Sequence, residues 1–353
     1  MIQAVNGAPP PATAGDETQR ARRILLICAQ MFSYHERIVA CLESMGYTVT
    51  WWDPRPSVGT PYRIALRVAP RAISGFSAAR FEARLRQLDA APPDQVLVVK
   101  GEGLSPRALS ALRRKLPHAQ MTLYLWDGLD NARGSGAIAP FFDKVLTFDP
   151  TDAERHGWTY RPLFADIADS MPRPPFGPPL YDCAFIGTMH SDRHRVLSRL
   201  RVAHPSWRIF AYCYFQSRFM LGARMCLDPS LWLAPKGTLR TEPMDMVDAE
   251  AVLDQSRVTL DIEHPGQRGL TMRTIETLMA GRKLATTNRH VLTSDLFHPS
   301  RVCLIDRDRP RIPDEFLVQR VEPIDDAVRR RYTLRYWARQ VLSATAASGP
   351  PYP

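Results

Sequence analysis

Residues 264–276 carry the densest group of side chains suited to chemistry: His264, Gln267, Arg268, Gly269, Thr271, Arg273 and Glu276, with Lys283 a little further on. The N–H groups in a helix's first turn lack partners and carry partial positive charge, so a loop entering a helix here attracts phosphate. Arg268 and Arg273 add full charges with bidentate geometry. Thr271 adds a hydroxyl. Glu276 lies three residues beyond Arg273, on nearly the same helix face. A carboxylate beside a phosphate site is costly unless hydroxyls donate to it, and a ribose supplies such hydroxyls. The set therefore suits a nucleoside diphosphate with Glu276 on the ribose. The same residues would also serve a plain βαβ unit, capping and solvating its helix.

The elements that must position these groups are legible around them. Val258–Ile262 is an apolar run of strand type. A helix is expected from Thr271 to Met279, with Leu270, Ile275 and Leu278 facing inward and Gly281 ending it. Lys283–Thr287 reads as the next strand. Earlier in the chain, Arg23–Ala29 reads as a buried strand, Tyr34–Met45 as a helix and Tyr47–Trp52 as a second strand. This is the start of a doubly wound parallel sheet. The turn after the first strand, Gln30 to Ser33, lacks GxGxxG, so no dinucleotide cofactor is indicated there. Strands at Gln95–Val99, Met121–Trp126 and Lys144–Phe148 end at Lys100 and Glu102, at Asp127, and at Asp149. In such sheets ligands sit beyond the carboxyl ends of the strands. A second run begins with strand Tyr181–Ile186 and the loop Gly187 to Arg193. The expected organisation is a disordered leader at 1–21, an α/β unit at 22–165 and a Pro-rich linker at 166–180. A second α/β unit at 181–322, a terminal helix at 323–342 and a tail at 343–353 complete it.

The chain of 353 residues has 46 Lys and Arg against 36 Asp and Glu, a formal net charge of +10. This favours anionic partners; without a nucleic-acid-binding motif, nucleic acid is not expected. Six cysteines without a CxxC pair fit reduced, buried thiols rather than zinc. No secretory signal and no apolar run of transmembrane length is evident. A cytoplasmic protein is expected, with peripheral contact at the inner face of the plasma membrane as the remaining membrane option. Gln216–Cys226 reads as a basic amphipathic helix that packs structurally, and Asp326–Leu342 as one helix with an aromatic stripe of Tyr332, Tyr336 and Trp337.

The segment HPGQRGLTMRTIETLMAGRKLATTN, together with LYLWDGLDN at 123–131, FDKVLTFDPTDA at 142–153 and DCAFIGTMHSDRH at 182–194, resembles the GT-B glycosyltransferases. The central motif is most similar to that of a spore-maturation-type bacterial group assigned to surface polysaccharide synthesis. The resemblance implies two Rossmann-like domains facing a cleft, a nucleotide-sugar donor on the C-terminal domain and a glycan or lipid-linked acceptor on the N-terminal one. It implies no cofactor and no metal, and Asp127-Gly128-Leu129-Asp130 indeed lacks DxD spacing. By the resemblance, Gly187, Thr188, His190 and Arg193 face the donor phosphates. Arg273, the helix N-terminus and Lys283 stabilise the leaving diphosphate. Asp127 and Glu102 become candidates for the general base, or else cap local turns. The terminal helix is expected to cross back to the first domain. Many such enzymes carry two glutamates eight positions apart; Glu276 matches the second, but Arg268 occupies the first position.

Overall fold

The computed structural model describes residues 22–30, 33–55, 79–88, 92–130, 133–166 and 178–343. The leader, residues 167–177 of the expected linker and residues 344–353 of the expected tail lie outside them. The first sheet is built from β1 (Arg23–Cys28), β2 (Thr48–Trp52), β3 (Gln95–Val99), β4 (Gln120–Leu125), β5 (Lys144–Thr147) and β6 (Thr159–Tyr160). Its order is β2-β1-β3-β4-β5-β6, and every pair is parallel. The second is built from β7 (Tyr181–Thr188), β8 (Ile209–Tyr214), β9 (Leu239–Arg240), β10 (Ser256–Asp261), β11 (Leu284–Thr286) and β12 (Val302–Leu304). Its order is β12-β11-β10-β7-β8-β9, again all parallel.

The helices used below are α1 (Tyr34–Ser44), α2 (Pro106–Lys115), α3 (Pro150–His156), α4 (Arg193–Ala203), α5 (Arg218–Leu227), α6 (Met246–Asp254), α7 (Met272–Met279), α8 (Asp314–Val318), α9 (Asp326–Arg331) and α10 (Leu334–Leu342). Strands of parallel sheets are buried on both faces, which is why their sequences are nearly unbroken apolar runs. Successive side chains alternate between the faces. Leu25 and Ile27 of β1 thus enter the core beneath α2, while Ile24, Leu26 and Cys28 enter the core on the opposite side.

That opposite core does not stop at the first sheet. Phe148, Trp126 and Phe164 join Leu270, Ile275 and Leu278 in one continuous apolar body that reaches both halves of the molecule. The C-terminal segment belongs to it as well. It is two helices rather than one: α9 ends at Tyr332, and Thr333 starts α10 by accepting a hydrogen bond from Tyr336 N. The break lets residues 332–334 bridge to Ala165, with Ala165 N donating to Tyr332 O and Leu334 N to Ala165 O. Trp337 is fully buried and meets Tyr124 edge-on at 5.0 Å and Phe164 at 4.8 Å. Lys144 Nζ donates to the carbonyls of Gln340 and Ser343 at the helix's end. Two of the three stripe aromatics, Tyr332 and Trp337, therefore serve the first domain's core.

Truncation of Trp337 to alanine should cost about 3–5 kcal/mol, as for other buried large-to-small changes. Urea unfolding would measure it; a loss near zero would mean α10 lies on the surface rather than in the core.

Candidate functional site

The site is built from the carboxyl end of β10. Asp261, the last residue of the strand, is buried. Its Oδ2 accepts hydrogen bonds from Thr271 Oγ1 at 2.6 Å and Thr274 Oγ1 at 2.7 Å. Thr271 in turn caps α7, accepting from Thr274 N at 3.0 Å. The Thr271 hydroxyl is thus spent inside the protein, and its expected role as a ligand donor gives way to positioning. The N–H groups of Met272 and Arg273 have no hydrogen-bond partner among the described residues. No acidic residue stands in this first turn, and Arg273, a cation at a positive helix end, lies against the usual preference. An anion bound there would relieve both.

Glu276 follows one turn later, 3.8 Å from Arg273 through Oε2. Its side chain is 19% exposed and that of Arg273 27%, so neither is sealed in the core. The other carboxylate oxygen, Oε1, accepts from the Tyr34 hydroxyl at 2.8 Å. Tyr34 opens α1 in the first half and stacks obliquely on Trp126, the residue before Asp127, at 5.6 Å. Burial raises the pKa of Glu276 above the usual carboxylate value, with Arg273 and the Tyr34 hydroxyl offsetting part of the shift. Burial, reinforced by the Glu276 charge, likewise pushes the Tyr34 phenol well up.

The loop after β7 supplies the neighbouring wall. Arg193 donates through Nε to Ile262 O at 2.6 Å and through Nη1 to Thr188 O at 2.7 Å. It ties the β7 and β10 loops together, and Gly187 leaves room for it, since a Cβ there would lie 3.3 Å from Arg193 Nη1. His190 faces His264 with ring centroids 5.5 Å apart. Burial, followed by the nearby Arg193, holds the His190 pKa down at about 3, so without a bound anion the ring is neutral at physiological pH. Arg307, beyond β12, was not singled out from sequence. It pairs with Asp192 at 2.7 Å and with Glu263 at 2.5 Å, and Glu263 also accepts from the Thr287 hydroxyl. Only its position past a strand's carboxyl end could have marked it.

Other expected residues have different work. Gly269 is buried, and a Cβ there would meet the Phe148 ring at 2.5 Å and Phe148 O at 2.6 Å. It permits the two halves to touch rather than a ligand to approach. Gln267 Nε2 donates to Gly269 O at 3.2 Å. Arg268 is exposed on the loop and His264 half-buried. Lys283 is a correction. It precedes β11, at the amino end of the strand and away from the loops, and its ammonium donates to Phe316 O at 2.6 Å and Leu317 O at 2.8 Å. Burial lowers its pKa to about 8.

The facing rim lies at the carboxyl ends of β3 and β4. Lys100 Nζ sits 2.9 Å from Asp127 Oδ2 and 3.4 Å from Glu102 Oε2. Burial pulls the Lys100 pKa down, but the two carboxylates outweigh it and leave it raised. Its backbone is left-handed, with φ 72°, an uncommon conformation for a residue with a side chain. Asp149, by contrast, is the cap of α3, accepting from Thr151 N and Asp152 N.

No protein-family model matches the chain. No curated protein matches it either. Solved structures do. Anabaena Alr3699/HepE in complex with UDP and glucose aligns with TM-score 0.57 at 10% identity, covering 91% of this chain and 98% of that one. AviGT4, a glycosyltransferase involved in avilamycin A biosynthesis, aligns with TM-score 0.55 at 12% identity, over 90% and 95%. A trehalose-6-phosphate protein from E. coli bound with UDP-2-fluoro glucose aligns with TM-score 0.53 at 10% identity, over 90% and 97%. The chain has the GT-B fold. At such identities the likeness establishes architecture alone.

Two outcomes follow from the geometry. Lys283→Met should lower stability by about 1–3 kcal/mol, the cost of leaving buried partners unsatisfied, without changing nucleotide affinity. Glu276→Gln should be more stable than the parent at neutral pH. A carboxyl with a raised folded pKa destabilises the fold increasingly as pH rises from the unfolded value through the folded one. The stability gap between variant and parent, read from urea midpoints, should therefore widen with pH over that window. A gap independent of pH would contradict the burial of Glu276.

Proposed function

We propose that this chain is a glycosyltransferase that moves a sugar from a nucleotide-sugar to a hydroxyl of a cell-surface polysaccharide or lipid-linked saccharide. The observation that carries the reading is the pairing of Arg273 and Glu276 at the start of α7, inside a GT-B cleft, with the Tyr34 hydroxyl on the carboxylate. In this reading the N–H groups of Met272 and Arg273 and the Arg273 guanidinium hold the diphosphate. Charge that develops on the leaving group meets fixed donors, the usual source of large rate gains. Glu276 accepts the ribose hydroxyls through the oxygen that Tyr34 leaves open. The family resemblance, with Glu276 on its second glutamate, supports this assignment. The UDP in the HepE structure makes UDP-sugars the first donors to test.

On the acceptor side, Asp127 is the candidate base, with Lys100 holding it in place and Glu102 completing the cluster. The acceptor hydroxyl attacks the anomeric carbon, its bond to the diphosphate breaks, and the hydroxyl proton passes to the base. Cationic side chains and the helix end, rather than a metal, carry the diphosphate charge in this reading. In this reading an acceptor carried on lipid would bring the chain to the inner face of the plasma membrane as a peripheral protein. One observation favours a second reading, a sugar-nucleotide-binding scaffold without turnover: Arg268, where many relatives carry a first glutamate, is exposed on the loop.

A thermal-shift screen of nucleoside diphosphates and their sugars tests the donor half. The matching ligand at a hundred times its Kd should stabilise the parent by about 2.7 kcal/mol, and Glu276→Ala should lose most of that. Donor turnover with acceptor should fall about 10²–10³-fold in Arg273→Ala. Binding without any transfer or donor hydrolysis would favour the scaffold. A changed nucleotide-sugar without released diphosphate would indicate an epimerase. No stabilisation by any nucleotide would defeat all three.

A further inference from the structure

The helix expected to pack structurally, α5, has no buried residue at all. Phe219, Ala223, Cys226 and Leu227 recur at i, i+4, i+7 and i+8, the spacing of one helix face, and all four are exposed. Phe219 is 73% exposed and Leu227 80%. The inward side is formed by Leu221, Arg224 and Met225, which are only half-buried. The short 3₁₀ turn that follows, Pro229–Leu233, adds Trp232 at 70% and Leu233 at 86% exposed. Surface hydrophobics scattered singly need no explanation, but four large ones on one continuous segment do.

The charges around this face are mostly positive, with Glu242 the acidic exception at its edge beside Arg218 and Arg240. Arg218, Lys236 and Arg240 are exposed in the same segment. Its one acidic residue between 216 and 241, Asp228, is buried and faces inward to His194 and Arg195. An apolar face with an aromatic anchor, rimmed by Arg and Lys, matches the interface of an anionic bilayer: the apolar side chains enter the acyl boundary and the cations meet the headgroups. A protein partner or a second copy would need matching acidic residues on its own surface, whereas an anionic lipid surface supplies its charge everywhere.

We propose that α5 and the 229–233 turn form a docking surface for anionic lipid membranes. Among the described residues no helix is long and apolar enough to cross a membrane, so the contact lies in the membrane plane. The surface is also coupled to the cleft. Arg224 Nη2 donates to Ser191 O at 2.5 Å, in the loop that carries His190 and Arg193. Docking through α5 therefore fixes the second domain's loops relative to the bilayer. The aromatic stripe of the C-terminal helices is not the surface proposed, since Trp337 and Tyr332 are buried.

Flotation of the full chain with phosphatidylcholine vesicles, with and without phosphatidylglycerol, tests the proposal. The parent should float only with the anionic vesicles. Phe219→Ser, Trp232→Ser and Leu233→Ser combined should reduce the bound fraction, and Arg218→Glu with Lys236→Glu should reduce it about tenfold or more. Both sets lie on exposed positions, so their thermal unfolding should match the parent's. A parent that does not float, or apolar and charge variants that float as it does, would overturn the proposal. So would a parent that self-associates on size exclusion without floating, when the triple-serine variant is monomeric. Donor binding plays no part in the readout, so the result is independent of the glycosyltransferase reading.

Discussion

The structure turns on one buried carboxylate. Asp261 ends a central strand of the second sheet and holds the hydroxyls of both Thr271 and Thr274. These bonds fix where α7 begins and how its first turn is aimed. A buried charge is costly unless it is hydrogen-bonded and has opposite charge nearby, and Arg193 lies close enough to supply that. The same arginine clasps the Thr188 and Ile262 carbonyls, so one cation braces two loops and balances the anchor of the third element.

From that anchor the geometry propagates to the other half. Leu270 and Ile275 carry α7 into the shared core with Trp126, Phe148 and Phe164. Gly269 lies against Phe148 closely enough that any side chain would collide. The C-terminal helices seal the same body from behind through Trp337. The cleft is thus framed by an apolar seam, and its polar groups stand at the seam's edge. Tyr34, Glu276 and Arg273 meet there, with Trp126 placing Asp127 and Lys100 one step further along. Desolvation at this edge explains why both Glu276 and Tyr34 have raised pKa values while neither is sealed from solvent.

Much of the fold was legible in the sequence, because buried parallel strands announce themselves as apolar runs and α7 shows its inward face by period. Arg273 and Glu276 were legible for the same reason: their spacing on a helix is fixed once the helix is known. Lys283 was misplaced because nearness in sequence does not say at which end of a strand a residue lies. Tyr34 was missed because it reaches Glu276 from the start of α1, just after a turn without a nucleotide fingerprint. Asp261 was missed because a polar residue ending an apolar run looks like solvent-side punctuation until its two threonine partners are seen. For α5 the period was visible, but apolar residues on both sides of the helix left its outward face undecided until packing settled it. The two C-terminal helices read as one because Tyr332 and Thr333 break the pattern without glycine or proline.

The central claim is that α7 receives a diphosphate at its first turn and a ribose at Glu276. A crystal structure of the chain soaked with a nucleoside diphosphate tests this most directly. The account predicts the diphosphate oxygens within hydrogen-bond distance of Met272 N, Arg273 N and the Arg273 guanidinium, with the ribose hydroxyls on Glu276. A nucleotide bound elsewhere, or one whose ribose leaves Glu276 with Tyr34 as its only partner, would contradict it.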